Sequence, residues 1–281
     1  MQKLEIYQSL WSMQPHGLDG VKVPVEEAFE MVAAAGYDGM AIDLGASDIE
    51  TMRKTRPLFA CHGLGCLIMA FPKTIEGLRP VLHMAKDFGA IAVNVIGQVP
   101  ALTLAEMIPV IRAWVAMGEA EGVPVLFETH RNCITNDLYT TLELIDEISE
   151  MRLCADLSHY LVDREFWYPV SDYDKALISR ILARSESFQG RVASREQIQV
   201  SINFPQHRKW YDQFAEWWEE GFRSWRGRAG DGEVLNFLCE LGPPEYAITG
   251  PDGYEISNRW EEALLIRERV TAIWRDLSNA P

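Results

Sequence analysis

The segments VLFETHRN (125–132) and LCADLSHY (153–160), separated by a helical stretch, decide the fold. Each begins as a short apolar run and then reaches a carboxylate, Glu128 or Asp156, with a histidine close behind it. Apolar runs of this length indicate buried strands, whereas a carboxylate at the end of a strand contributes nothing to packing. Two such ends, 28 positions apart, predict successive parallel strands that place polar side chains on one rim.

Apolar runs of this kind alternate with amphipathic helical stretches about eight times along the chain. Alternation of β and α units implies parallel strands joined by right-handed crossovers. Eight units in 281 residues match one (β/α)8 TIM barrel, which typically has about 250 residues. We therefore predict an α/β fold with a single TIM-barrel domain over 1–281. The predicted strands are 4–11, 39–45, 64–71, 90–97, 123–130, 152–160, 188–194 and 234–242.

Composition excludes several classes of partner. A formal net charge of −15 argues against nucleic acid, which is bound through clustered Lys and Arg. Apolar runs stay well short of the roughly 18 residues that would indicate a membrane span. The start, MQKLEIYQSLW (1–11), reads as a first strand and lacks the pattern of a signal peptide. Together with five cysteines that show no CxxC spacing, these features predict a cytoplasmic protein with reduced thiols.

Polar side chains end four consecutive predicted strands. They are Glu128 on strand five, Asp156 on strand six, Gln189 and Arg191 on strand seven, and Glu240 on strand eight. Active sites of parallel barrels lie at the carboxyl ends of the strands, so these side chains should converge. Three converging carboxylates repel one another, and a hard divalent cation bound by their oxygens relieves that repulsion. The pattern predicts a metal site.

The motifs FETH (127–130), ADLSHY (155–160), GRVAS (190–194) and CELGPPEY (239–246) resemble those of the xylose isomerase-like TIM barrels, also called sugar phosphate isomerase/epimerase proteins. The resemblance covers the whole chain in order. It implies a divalent metal ion such as Mg²⁺ or Mn²⁺ and a small-molecule carbohydrate substrate. The implied metal ligands are Glu128, Asp156, Gln189 and Glu240; the implied substrate contacts are His159 and Arg191. His130 either reaches the substrate as well, orients Glu128, or only caps the loop.

Gln189 departs from the family pattern, in which a histidine occupies this position on strand seven. A glutamine carbonyl binds Mg²⁺ or Ca²⁺, but it is a poorer ligand than imidazole for Mn²⁺, Co²⁺ or Zn²⁺. Four interpretations stay open: a site adapted to harder ions, a weakened site, a shifted correspondence of positions, or an engineered substitution. The implied role of Glu128, Asp156 and Glu240 as metal ligands is the same under each of these interpretations.

The resemblance implies proton abstraction next to a carbonyl group. Glu128 and Glu240 are the implied catalytic pair, one acting as base and the other returning the proton. The expected activity is a metal-dependent isomerase or epimerase of a small sugar, keto-sugar or polyol, with an enediolate intermediate. One alternative is a lyase, a dehydratase or β-eliminating enzyme, acting on a keto-sugar or keto-inositol. Another is a non-catalytic barrel subunit, for which Gln189 is the best evidence.

Aromatic residues outside these motifs favour packing roles. Trp11 and Phe71 follow strands and would suit the wall of a sugar pocket, although single aromatic residues of this kind are more often core. The tryptophans of the stretch 207–225 recur at helical spacing, which indicates packing against the barrel or against a neighbouring subunit. A homo-oligomer therefore stays open.

Overall fold

The computed structural model describes residues 1–14 and 23–279 and contains a closed barrel of eight parallel strands. Strand β1 pairs in parallel with β2 on one side and with β8 on the other, which closes the sheet. The predicted (β/α)8 TIM barrel is confirmed. The strands are β1 (Lys3–Ser9), β2 (Gly39–Asp43), β3 (Gly65–Ala70), β4 (Val93–Val95), β5 (Val125–Glu128), β6 (Leu153–Ala155), β7 (Ser185–Gln189) and β8 (Val234–Cys239).

Helices between the strands form the outer layer, and the main apolar core lies between them and the barrel. Within the described ranges, no helix combines the length and hydropathy needed to cross a membrane. The helices are α1 (Val25–Ala34), α2 (Ile49–Arg53), α3 (Arg56–His62), α4 (Arg79–Phe88), α5 (Leu104–Glu121), α6 (Leu138–Glu147), α7 (Leu157–Asp163), α8 (Asp172–Leu182), α9 (Arg208–Arg228) and α10 (Arg259–Asn279).

The tryptophans of α9 face the barrel. Trp217, Trp218 and Trp225 are each about 2% exposed or less. The Trp218 ring meets Phe237 of β8 edge-on at 5.3 Å, and its indole N–H donates to the Gln189 carbonyl oxygen at 3.2 Å. The predicted packing of this helix against the barrel is confirmed, and it fixes the end of β7 in place.

The predicted position of strand seven, 188–194, is wrong. Strand β7 is Ser185–Gln189, so the preceding helix ends at Leu182 and Arg191 lies beyond the strand. The reason is that β7 directs polar side chains into the barrel, where the Ser187 hydroxyl bonds the side chain of Asn236 on β8. A strand without an apolar inner face gives no hydrophobic alternation to detect.

The predicted extension of strand six to Tyr160 is also wrong. Strand β6 ends at Ala155, and helix α7 starts at Leu157. The Asp156 carboxylate caps this helix by accepting the N–H of Ser158 at 3.0 Å. His159 therefore stands three residues after Asp156 on the first helical turn, where side chains at this spacing face each other.

Helix α10 docks through a buried carboxyl, and this contact predicts a pH dependence of stability. Glu262 accepts hydrogen bonds from the Ser201 hydroxyl and, at 3.3 Å, from the N–H of Ile202, while burial raises its pKa to about 7. Because the pKa of Glu262 is higher in the folded protein than in the unfolded chain, the protonated carboxyl stabilises the fold. This contribution is fully present below the pKa of the unfolded chain, and it is lost as the pH rises through the folded value of about 7. The loss is at most about 3 kcal/mol for a shift of this size.

We expect Glu262→Gln to remove this dependence, since an amide does not titrate. Urea unfolding of both proteins between about pH 4 and pH 8 measures it. The stability of the wild type relative to the variant should decline over this range. A difference that stays constant with pH would contradict the role given to Glu262.

Candidate active site

The polar residues predicted at the strand ends come together at the carboxyl end of the barrel. Glu128 is the last residue of β5, and Asp156 and Glu240 each follow directly after a strand. All three side chains are buried, and one oxygen from each lies within 4.8 Å of the others. Gln189, the last residue of β7, is buried with its amide nitrogen 3.9 Å from the Cys154 sulfur. Parallel topology thus converts a sequence pattern into a compact cluster.

Arg191 bridges two of the carboxylates. Its Nε lies 3.2 Å from Oδ2 of Asp156, and its Nη2 lies 3.3 Å from Oε2 of Glu240. The side chain is only 2% exposed, with its guanidinium 4.9 Å from the Tyr246 ring centre and 5.9 Å from that of Trp11. Nη1 has no hydrogen-bond partner among the described residues. Arg191 therefore compensates part of the negative charge and keeps one donor free.

Burial and mutual repulsion raise the pKa values of two of the carboxyls, Glu128 and Glu240. Burial, followed by the charges of Glu240 and Asp156, raises the pKa of Glu128 well above its ordinary value. Burial raises the pKa of Glu240 to about 7, although Arg191 opposes the rise. Two carboxyls that titrate far above the usual range are matched to proton transfer near neutral pH.

Several buried oxygens at these strand ends lack hydrogen-bond partners in the part of the chain that is described: Oε2 of Glu128, Oε2 of Glu240 and Oε1 of Gln189. The contact between Glu240 and Arg191 is an ion pair without hydrogen-bond alignment. A buried acceptor without a donor costs roughly 1–3 kcal/mol. Carboxylate and amide oxygens are the donors that hard divalent cations prefer, so the residues present fit such a cation.

Two histidines stand beside these carboxylates. The rings of His130 and His159 have centres 4.1 Å apart and are tilted by 45°. Burial lowers the pKa of His130 to about 4 and that of His159 well below its ordinary value, so both rings are neutral at physiological pH. One nitrogen of each ring lies within 4.8 Å of a Glu128 oxygen. Glu128, His130 and His159 therefore form a second group of potential metal ligands within the same site.

A cavity of about 440 Å³ opens over the cluster. Trp11, Phe71 and Tyr246 supply aromatic wall, while Glu128, Arg191 and Glu240 supply polar lining. Trp11 and Phe71 are half-buried and line the cavity, and Phe71 also packs against the apolar cluster inside the barrel. Aromatic faces beside charged groups suit a small polyhydroxylated molecule, whose C–H faces pack on rings while its hydroxyls reach the charges.

Solved structures share this architecture, although no family model and no curated protein matches the chain. A xylose isomerase-like TIM barrel protein from Mycobacterium smegmatis, solved with magnesium, has a TM-score of 0.60 at 14% identity, covering 96% of this chain and 97% of that one. The chain has the xylose isomerase-like TIM barrel fold. A D-allulose 3-epimerase from Methylomonas sp., solved with D-allulose, gives 0.59 at 15% identity, covering 98% and 97%. A probable 3-DHS dehydratase from Bacillus anthracis gives 0.52 at 14% identity, covering 99% and 100%.

Loop contacts in this xylose isomerase-like barrel hold Glu240 in place. The Gln199 amide donates to the Gly242 carbonyl at 2.9 Å and accepts the Gly242 N–H at 2.6 Å. The N–H of Leu241 donates to the Ser12 hydroxyl at 3.0 Å. Both residues after Glu240 are therefore anchored, which fixes where its carboxyl points.

Three further residues of the candidate site were not predicted from the sequence. Asp43 ends β2, lines the cavity and accepts the N–H groups of Gly45 and Ala46 at 2.6 and 3.1 Å. Its signal was available, because GMAIDLG (39–45) is an apolar run that stops at a carboxylate. Arg131 and Tyr246, joined by a 2.7 Å hydrogen bond from Nη2 to the phenol oxygen, gave no such signal. Their contact depends on loop paths.

Proposed function

We propose that this protein is a divalent-cation-dependent epimerase or isomerase of a small keto-sugar or polyol, acting through an enediolate. One observation carries the proposal: Glu128 and Glu240 are buried, have raised pKa values and line one cavity together. Removal of a proton from one face of a carbon and its return on the opposite face calls for an acid–base group on each side. A D-allulose 3-epimerase with the same fold supports the reaction class.

The cation would be held by Glu128, Asp156, Gln189 and Glu240. Unpartnered buried oxygens on Glu128, Gln189 and Glu240, and the hard oxygen donors of all four residues, support this assignment. When bound, a divalent cation polarises a carbonyl and an adjacent hydroxyl and stabilises the negative charge that develops there. A structure with the same fold was solved in complex with magnesium, which agrees with the choice of a hard ion.

The side chains of the chain itself handle the proton and the substrate oxygens. Glu128 removes the proton next to the carbonyl, and Glu240, whose pKa is about 7, returns one. Delivery to the opposite face gives an epimer, and delivery to the neighbouring carbon gives an isomer. Arg191 donates from its free Nη1 to a substrate oxygen, and His159 and His130 contact neighbouring oxygens. Trp11 and Tyr246 supply aromatic wall beside these groups.

The test is exchange of substrate hydrogen in D₂O. Purified protein loaded with Mg²⁺ or Mn²⁺ is incubated with a panel of ketoses and keto-polyols and followed by NMR. Deuterium incorporation at the carbon beside the carbonyl, without loss of water, supports the proposal. Release of water or of a β-substituent would instead establish the lyase, which the same acid–base pair could serve by protonating a leaving group.

Cation binding distinguishes the two enzyme hypotheses, epimerase or isomerase and lyase, from the hypothesis of a non-catalytic barrel. Metal analysis and calorimetric titration should show one divalent ion per chain, lost in Asp156→Asn. Absence of binding by the wild-type protein would overturn the epimerase and the lyase together, and would leave the non-catalytic subunit.

Gln189→His tests the fourth ligand. Because imidazole binds borderline ions better than an amide oxygen does, we expect at least about tenfold tighter Mn²⁺ or Co²⁺ binding and little gain for Mg²⁺. Calorimetric titration measures both, with Gln197→His as the matched control on an exposed loop position. Equal affinities in Gln189→His and the wild type would remove Gln189 from the cation site.

A further inference from the structure

The main chain of Arg131 contacts both histidines of the site. The Nδ1 of His130 lies 2.6 Å from the Arg131 carbonyl oxygen. The Arg131 N–H donates to the Nδ1 of His159 at 3.4 Å. One residue thus presents an acceptor to one ring and a donor to the other, and the two rings lie 4.1 Å apart.

These contacts determine where each neutral ring carries its proton. A carbonyl oxygen only accepts, so His130 must donate from Nδ1 and its Nε2 keeps a lone pair. A backbone N–H only donates, so Nδ1 of His159 must be the acceptor and Nε2 carries the hydrogen. The two neighbouring rings therefore have opposite tautomers, and each tautomer is selected by a fixed main-chain group.

We propose that the Arg131 main chain, by fixing the two tautomers, makes His130 a hydrogen-bond acceptor and His159 a hydrogen-bond donor towards two neighbouring substrate oxygens. His130 accepts a hydrogen bond from a substrate hydroxyl through Nε2, and His159 donates one from Nε2 to an oxygen that carries no hydrogen. The assignment to substrate rests on the proposed function; the tautomers do not. Arg131 is a positioning residue, and His130 determines specificity.

The surroundings of the rings agree with this assignment. Nε2 of His159 is buried and has no hydrogen-bond partner within the described ranges, and its nearest carboxylate oxygen, Oδ2 of Asp156, is 3.5 Å away. His130 lines the cavity directly. The Arg131 side chain bonds Tyr246, which ties the loop after β5 to the loop after β8.

The same tautomers indicate which of two groups of potential metal ligands could hold a cation: Glu128 with the two histidines, or Glu128 with Asp156 and Glu240. A ring nitrogen that carries hydrogen has no lone pair for a cation. His159 then offers a cation no free lone pair, because Nε2 carries hydrogen and Nδ1 accepts the Arg131 N–H. In the group of Glu128, Asp156 and Glu240, by contrast, both glutamates keep an unpartnered oxygen. The histidines are left to contact substrate.

NMR of protein labelled with ¹⁵N in its histidine rings tests the tautomers without reference to activity. Long-range correlations between ring carbon-bound hydrogens and ring nitrogens identify which nitrogen is protonated, and His130→Phe and His159→Phe assign the signals. At about pH 7 we expect a proton on Nδ1 of His130 and on Nε2 of His159. The reverse pattern, or a mixture in either ring, would overturn the proposal even if the protein proves to be an epimerase.

Two variants of Arg131 test the main chain itself. Arg131→Ala keeps the peptide group, so both tautomers should persist. Arg131→Pro removes the N–H but keeps the carbonyl, so His159 should become a mixture while His130 is unchanged. A His159 ring that keeps its tautomer in Arg131→Pro would show that the peptide does not set it. If that variant does not fold, the spectra of the wild type and Arg131→Ala decide.

A pair of small probes tests recognition. Hydroxyacetone offers one hydroxyl and one carbonyl, whereas methoxyacetone lacks the hydroxyl hydrogen. On Mg²⁺-loaded protein we expect methoxyacetone to bind about tenfold more weakly, the effect of one lost hydrogen bond. The ratio of the two dissociation constants, methoxyacetone over hydroxyacetone, should fall towards one in His130→Phe. A ratio near one in the wild type, or an unchanged ratio in His130→Phe, would show that His130 does not accept from substrate.

Discussion

Glu128→Gln is expected to lower turnover by about 10³-fold, the typical loss when a general base is removed. The amide is nearly the same size as the carboxyl, so the 1% exposed side chain remains packed and the fold is preserved. What is lost is the proton acceptor and one charged cation ligand. Rates of hydrogen exchange at the substrate carbon, measured with saturating Mg²⁺, check this expectation. Turnover within tenfold of the wild type would remove Glu128 from the reaction.

The same substitution should stabilise the cation-free protein. Burial and the neighbouring carboxylates raise the pKa of Glu128, so its ionised form is disfavoured by folding. The folded state is therefore relatively less stable as pH rises, and Glu128→Gln removes that loss. Its melting temperature without cation should exceed that of the wild type, and by more at pH 8 than at pH 5.

Added Mg²⁺ should reverse this order, because only the wild type keeps the full set of charged ligands. Glu143→Gln, on the exposed face of α6, is the matched control and should change neither activity nor the response to Mg²⁺. A lower melting temperature for cation-free Glu128→Gln would show that the carboxyl cluster is not repulsive.

Arg191→Met is expected to have the largest effect on stability, a loss of about 3–5 kcal/mol, because it leaves buried carboxylates without their cationic partner. The side chain is 2% exposed and contacts both Asp156 and Glu240. Urea unfolding at several pH values measures the loss. It should be smaller at pH 5 than at pH 8, since protonation of Glu240 below its pKa of about 7 removes part of the unpaired charge.

Two comparisons sharpen this expectation. Mg²⁺ should restore part of the stability of Arg191→Met, because a divalent cation supplies the missing positive charge. Arg195→Met removes a half-buried arginine that pairs with the exposed Glu165, and should cost less than about 1 kcal/mol. Equal losses in the two variants would mean that Arg191 contributes only ordinary packing.

The sequence by itself determined the barrel and the carboxylates at its mouth. The apolar runs that stop at Glu128, Asp156 and Glu240 identify buried strands, and the local hydrophobic pattern is enough to detect them. Parallel topology then requires that all strand ends share one face, so the cluster followed without any knowledge of distances. Asp43 obeys the same rule and was accessible to the same reasoning.

Only the tertiary structure decided the register of β7, the contacts of Arg191 and the pairing of the histidines. The inward side chains of β7 are polar and bond Asn236 inside the barrel, a contact that no local pattern encodes. Arg131 and Tyr246 lie 115 positions apart, and they meet because barrel closure brings their loops together. Such contacts depend on the paths of several loops at once, whereas burial along a strand depends on neighbouring residues alone.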